Sequence, residues 1–257
     1  MSTRPIKSFS DLKIRIGRFL NSPAFNRKEI RSFLSKVNSI GEVAIFGGML
    51  RDLAISGSAG FKSDVDLVIK IENKNLLEEI LSEYSLEKNK FGGFRVSLGI
   101  WKVDLWDFND TWAFKEGYVE GNSIKDLCKT TFFNWDAIAY QLETGTVYSN
   151  EGYIESIHSK VLDINLEPNP SPLGNIIKAS KYFEKYDASF SPRLTKNIYR
   201  VLEEVRNDKF HQFGNEYHKR RLIDIDRLLN LSQAIENHQK HKPLSPFELK
   251  KVQHSIW

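Results

Sequence analysis

The stretch from Glu42 to Ile71 limits the fold more than any other part of the chain. Glu42-Val43-Ala44-Ile45-Phe46 is a short apolar run of strand formers, and Gly47-Gly48 ends it. Met49 to Ile55 then reads as a helix starting at that turn, and Gly57, Ser58 and Gly60 mark a loop. Asp64-Val65-Asp66-Leu67-Val68-Ile69-Lys70-Ile71 is a second, strongly apolar strand. Strand, glycine turn, helix and strand in that order call for a sheet with helices packed on it.

Aspartate is a poor strand residue, yet Asp64 and Asp66 alternate onto one face of this strand while Val65, Leu67 and Ile69 take the other. Two ionised carboxylates side by side repel each other, which costs stability. A divalent cation offsets that repulsion, and Mg2+ prefers oxygen ligands of this kind. Lys102-Val103-Asp104-Leu105-Trp106-Asp107 offers a third carboxylate in Asp104, with Asp107 as the alternative where the strand ends. A third carboxylate on a neighbouring strand would complete a two-metal site for in-line displacement. Gly47 and Gly48 let the backbone approach a ligand closely, and the helix behind them favours an anion such as phosphate. Arg51 adds a charge-assisted contact either to that phosphate or to an internal carboxylate, and Asp52 is suited to orienting the turn. Taken singly, each feature has a plainer account: a tight turn without a ligand, two solvated aspartates on an edge strand, a surface aspartate.

Around this centre the chain changes texture. Ser10 to Val37 has helical periodicity, broken at Pro23. Asn75 to Tyr84 is an amphipathic helix, and Phe94 to Leu98 with Trp101 to Trp106 form a hairpin about Gly99. Asp126 to Tyr140 reads as a helix, with a turn at Thr144-Gly145 between short extended stretches. Pro168, Pro170 and Pro172 punctuate a linker; beyond it Ile176 to Tyr186, Thr195 to Asn207, Glu216 to Asn237 and Phe247 to Ser255 have helical patterns. The expected fold is α/β (α+β): a basic helical arm over 1–38, a mixed-sheet head over 39–167 and an all-helical region over 168–257.

Charge follows the same division. Residues 1–36 carry nine Lys and Arg against two Asp and Glu, residues 37–170 carry 12 against 21, and residues 171–257 carry 16 against 10. An acidic middle between basic flanks suits a metal centre with an anionic polymer beside it, although ordinary helices with solvated basic faces give the same count. In the last flank aromatics interleave with Lys178, Lys181, Lys219, Arg220 and Arg221, a pattern that serves either a helical core or stacking on single-stranded RNA. The single Cys128 excludes a disulfide framework and a multi-cysteine zinc site, and reads as a small buried hydrophobe. Met1 to Asp11 is polar with no apolar run behind it, and no segment approaches the roughly 20 apolar residues of a membrane span. A cytoplasmic location without a membrane partner is expected.

The order Gly47-Gly48, Arg51-Asp52, Asp64-x-Asp66 and a later lone Asp104 resembles the polymerase-beta-type nucleotidyltransferase superfamily. More closely, it resembles the head domain of bacterial poly(A) polymerases and CCA-adding tRNA nucleotidyltransferases. Phe133-Asn134-Trp135-Asp136-Ala137-Ile138-Ala139-Tyr140 is similar to that family's Phe-Thr-x-Asn-Ala-x-Ala-Tyr segment, and Ile154 to Leu162 to the stretch after it. Pro172-Leu173 with Lys178, Lys181, Tyr182 and Phe183 resembles its neck. The family's Arg-Arg-Asp is Thr130-Thr131-Phe132 here, its Asn is Asp136, and its base-pairing Glu-Asp…Arg set is not recognisable near Pro172.

The resemblance implies an enzyme that transfers a nucleoside monophosphate from a nucleoside triphosphate, ATP among them, to an acceptor hydroxyl. It implies two Mg2+ ions, or Mn2+, held by Asp64, Asp66 and Asp104, and a triphosphate held by Gly47, Gly48, Arg51 and Asp52. The acceptor expected is an RNA 3′ end, tRNA foremost, touched by the cations of the last flank. Two other readings stand beside it: a toxin or defence effector that nucleotidylates tRNA or a protein, and a non-catalytic module that binds RNA or a partner.

Overall fold

The computed structural model describes residues 4–23, 27–61, 64–88, 92–208, 234–238, 240–242 and 245–247. The chain divides into two compact units, Met1–Glu155 and Ser156–Trp257.

The first unit begins with two helices, α1 (Phe9–Asn21) and α2 (Arg27–Asn38). Ser8 caps α1 by accepting from the Asp11 N–H, and Leu12, Ile16 and Phe19 form its buried stripe. Burying a side chain of this kind contributes about 1.5–3 kcal/mol. Then come β1 (Glu42–Phe46), α3 (Gly48–Ser56), β2 (Val65–Lys70), α4 (Lys74–Ser82), β3 (Ser85–Lys88), β4 (Phe94–Leu98) and β5 (Trp101–Asp107). A short helix α5 (Trp112–Lys115), β6 (Ile138–Gln141) and β7 (Thr146–Ser149) follow, and α6 (Tyr153–Ser159) carries the chain past the division. The strands form one seven-stranded sheet in the order β3-β4-β5-β2-β1-β6-β7. β2 and β5 pair in parallel, and every other neighbouring pair is antiparallel.

One sheet face is covered by the helices before and after β1. Val43, Ile45, Leu67, Ile69, Val103 and Leu105 point that way and are buried. Phe19 of α1 meets Trp101 edge-on at 5.7 Å, and the Ile6 N–H donates to the Ala54 carbonyl, so the N-terminal segment is packed onto α3. On the opposite face Ala44, Phe46, Val68 and Ala139 pack with Phe108, Ile124, Leu127 and Cys128.

The helix expected over Asp126 to Tyr140 is replaced by two 3-10 turns, Ile124–Lys129 and Asn134–Asp136, and by β6. Ser123 and Asp126 cap the first turn reciprocally, and the Thr130 hydroxyl donates to the Leu127 carbonyl where it ends. Ile138-Ala139-Tyr140 then takes its hydrogen bonds from β1, a pairing that overrides local helical spacing.

In the second unit β8 (Val161–Leu162) pairs in parallel with β9 (Ser189–Phe190), and α7 (Pro172–Tyr186) packs on α8 (Pro192–Asp208). Tyr182, Phe183, Tyr186 and Phe190 are buried, so these aromatics are core. Phe247 bridges to Phe190. Most of the helical patterns expected over Glu216 to Asn237 and Phe247 to Ser255 lie outside the described residues. Among the described residues, no helix is long and apolar enough to cross a membrane.

Candidate active site

Register brings the acidic residues together. Glu87 of β3 pairs with Arg95 of β4, Arg95 with Asp104 of β5, and Asp104 with Asp66 of β2. Asp66 pairs with Phe46 of β1, Phe46 with Ala139 of β6, and Ala139 with Tyr148 of β7. Directly opposed residues share a sheet face, so one row of side chains crosses all seven strands, charged at one end and apolar at the other. Asp64 stands one residue ahead of β2. Asp107, three residues past Asp104, falls on the other face and caps the following turn by accepting from the Asn109 N–H.

Arg95 binds this acidic set together. Its Nε donates to Asp104 Oδ1 at 2.7 Å and its Nη2 to Asp104 Oδ2 at 2.6 Å, a bidentate fork. The same Nη2 reaches Asp64 Oδ2 at 3.1 Å. The bond to Asp104, with the charges of Asp104, Asp64 and Glu87, raises the guanidinium pKa above its already high value. The Asp104 side chain is 15% exposed, Arg95 35% and Asp64 47%, so the cluster opens to solvent on the Asp64 side. Among the described residues no three His, Cys, Asp or Glu side chains stand close enough to hold a metal ion. The positive charge between Asp64 and Asp104 is Arg95.

Phe46 leads directly into the glycine turn. Gly47 has φ 62° and ψ −112°, a conformation that favours glycine, and its N–H donates to the Ile138 carbonyl at 2.9 Å. It is the N-cap of α3 without a side-chain cap, which leaves the first N–H groups of the helix to another acceptor. Of the two partners open to Arg51, the structure shows internal carboxylates. Its Nε and Nη2 donate to Asp52 Oδ1 at 3.0 and 2.6 Å, and its Nη1 to Asp136 Oδ1, with all three residues buried. Tyr153 lies in the same buried network and donates to the Trp135 carbonyl; burial pushes its phenol pKa well up. Arg51 and Asp52 therefore brace the turn from beneath.

Two contributors escape a reading of motifs: Arg95, and Asp136 as partner of Arg51. Arg95 could have been found by register alone. With Leu98 opposite Trp101, residues opposed across the hairpin sum to 199, which puts 95 against 104. Lys178 and Lys181 are exposed on α7 of the second unit, and Lys178 Nζ lies 5.8 Å from the Tyr182 ring centre. Lys219, Arg220 and Arg221 lie outside the described residues. Cys128 is buried, and burial pushes its thiol pKa up to about 12.

No protein-family model matches the chain, and no curated protein matches it. Among solved structures it is similar to a CCA-adding enzyme in complex with CTP, at 19% identity and TM-score 0.49, over 92% of this chain and 63% of that one. It is also similar to the Thermotoga maritima CCA-adding enzyme complexed with tRNA, at 16% identity and TM-score 0.47, over 88% of this chain and 62% of that one. A tRNA nucleotidyltransferase complexed with a primer tRNA and an incoming ATP analogue is similar at 18% identity and TM-score 0.44, over 78% and 67% of the two chains. The chain spans less than two thirds of the length of the first two.

Proposed function

We propose that the first unit is a nucleotidyltransferase centre, which moves a nucleoside monophosphate from a nucleoside triphosphate to an acceptor hydroxyl and releases pyrophosphate. The observation that carries this reading is the register. Asp66 and Asp104 are direct partners on parallel strands, and Phe46, the other neighbour of Asp66, runs into Gly47-Gly48. A carboxylate set and a glycine turn at a helix N-terminus thus share one end of the sheet.

The donor set is all carboxylate oxygen, the chemistry a hard divalent cation takes, and a cationic group already bridges two of the three, Asp64 and Asp104. Asp64, Asp66 and Asp104 do not stand close enough to form a metal site as they are; drawn together they would hold Mg2+, two ions with Mn2+ as the alternative, which would neutralise phosphate charge and favour the attacking alkoxide. The first N–H groups of α3 receive phosphate oxygens at the Gly47-Gly48 turn. Arg51, Asp52 and Asp136 keep that turn in place from inside. Asp104 assists removal of the acceptor hydroxyl's proton; the new P–O bond forms at the α-phosphorus as the bond to pyrophosphate breaks. The acceptor is an RNA 3′ end, tRNA foremost, a choice supported by the motif resemblance and the basic flanks.

The test is transfer of label from each of the four α-32P nucleoside triphosphates to total RNA with Mg2+. Asp64→Ala/Asp66→Ala is expected to lower transfer by about a hundredfold or more, as loss of direct ligands exceeds loss of their supporting groups. Undiminished transfer by the double variant would refute the assignment. Label on protein rather than RNA would move the acceptor to a polypeptide.

A further inference from the structure

We propose that Arg95 is a built-in counter-cation of the carboxylate set, whose fork must release Asp104 before a divalent cation binds there. The inference deepens the reading of Asp64, Asp66 and Asp104 as cation ligands and rests on it.

Arg95 bonds both oxygens of Asp104, and its Nη2 extends to Asp64. A cation ligated by Asp104 would share an oxygen that the fork now holds, so guanidinium and metal ion, both positive, compete for the same carboxylate. Charge gives the arrangement its reason. Asp66 and Asp104 are directly opposed, and like charges in that position destabilise a sheet. Arg95 offsets that repulsion in the metal-free chain. The guanidinium also has somewhere to go: Glu87, exposed on the edge strand β3, is its register partner on the side away from Asp104. With its side chain 35% exposed, Arg95 would swing from one carboxylate to the other through solvent. Arg95 thereby sets the divalent-ion concentration at which the centre assembles.

Lysine keeps the charge but cannot make the fork, which separates occlusion from simple charge repulsion. The experiment is Mn2+ titration followed by the electron paramagnetic resonance of free Mn2+, without nucleotide. It compares wild type, Arg95→Lys, Arg95→Gln and Asp64→Ala/Asp66→Ala. Both Arg95 variants should bind Mn2+ about tenfold more tightly than wild type, the scale of one lost charge-assisted bond. The double Asp variant should lose that binding. If the double Asp variant loses it while both Arg95 variants match wild type, the Arg95 proposal fails and the site reading stands. Tighter binding by Arg95→Gln alone would also overturn it, leaving charge as the whole effect. Unchanged binding by the double Asp variant would sink both. Should an Arg95 variant fail to fold, wild type carries the test. The Arg95 Nε–H resonance, followed by 15N NMR, moves on Mg2+ saturation if the fork opens and stays in place if it does not.

Discussion

Arg51 shows how much of a site can be support. Its guanidinium is held by Asp52 and Asp136 in the interior, 85 residues separating it from the second of these partners. Removing one member of a buried charged set leaves the others uncompensated, which costs about 3–5 kcal/mol. Arg51→Ala should lose stability on that scale in urea denaturation. Asp136→Asn, which keeps an acceptor for the guanidinium, should lose clearly less; equal losses would mean that the acceptor does not matter. Asp64, Asp66 and Asp104 are legible in the sequence because aspartate is disfavoured in strands and alternation assigns a face. The two guanidinium partnerships are not. An arginine on a strand reads by default as a solvated cation, and the identity of its partner is set by pairing across the sheet.

At the scale of elements, the turn into α3 joins the fold to the chemistry. A Cβ on Gly47 would meet the Asp136 carbonyl oxygen at 3.7 Å, so space is available and the cost of a side chain comes from the backbone. Gly47→Ala should destabilise by about 1–3 kcal/mol, the usual cost of a strained dihedral pair. It should also weaken nucleotide binding, because the relaxed turn re-aims the N–H groups of α3. Thermal melting together with a nucleotide titration checks both; full nucleotide affinity in a destabilised variant would remove the turn from the binding role. Most strands and helices of the first unit are legible from periodicity, since each has a long apolar stripe or a clean alternation. Two are not. β3 is an exposed edge strand with no apolar face to signal it, and Asn134 to Tyr140 follows its neighbour β1 rather than its own spacing.

For the whole molecule, the organisation into units has a direct test. Tyr153 is buried and bonded to the Trp135 carbonyl, so the first unit needs the chain at least into α6. Residues 1–160 expressed alone should melt cooperatively and bind Mn2+ as the full chain does; a broad, gradual melt would show that the first unit depends on the second. The acidic centre and basic flanks were legible from charge counts alone, whereas the order of the seven-stranded sheet was not, because it depends on that sheet's one parallel pairing, β2 with β5. That pairing also orders events in time. Arg95 and Asp104 are nine residues apart across a two-residue turn, while Asp66 and Asp104 are 38 apart (104 − 66). Closing the shorter loop costs about 1.3 kcal/mol less chain entropy, from the logarithm of the length ratio. The hairpin is therefore favoured to close first, with Asp104 already neutralised when Asp66 arrives, so the folding chain reaches its most acidic row without bringing two bare carboxylates face to face.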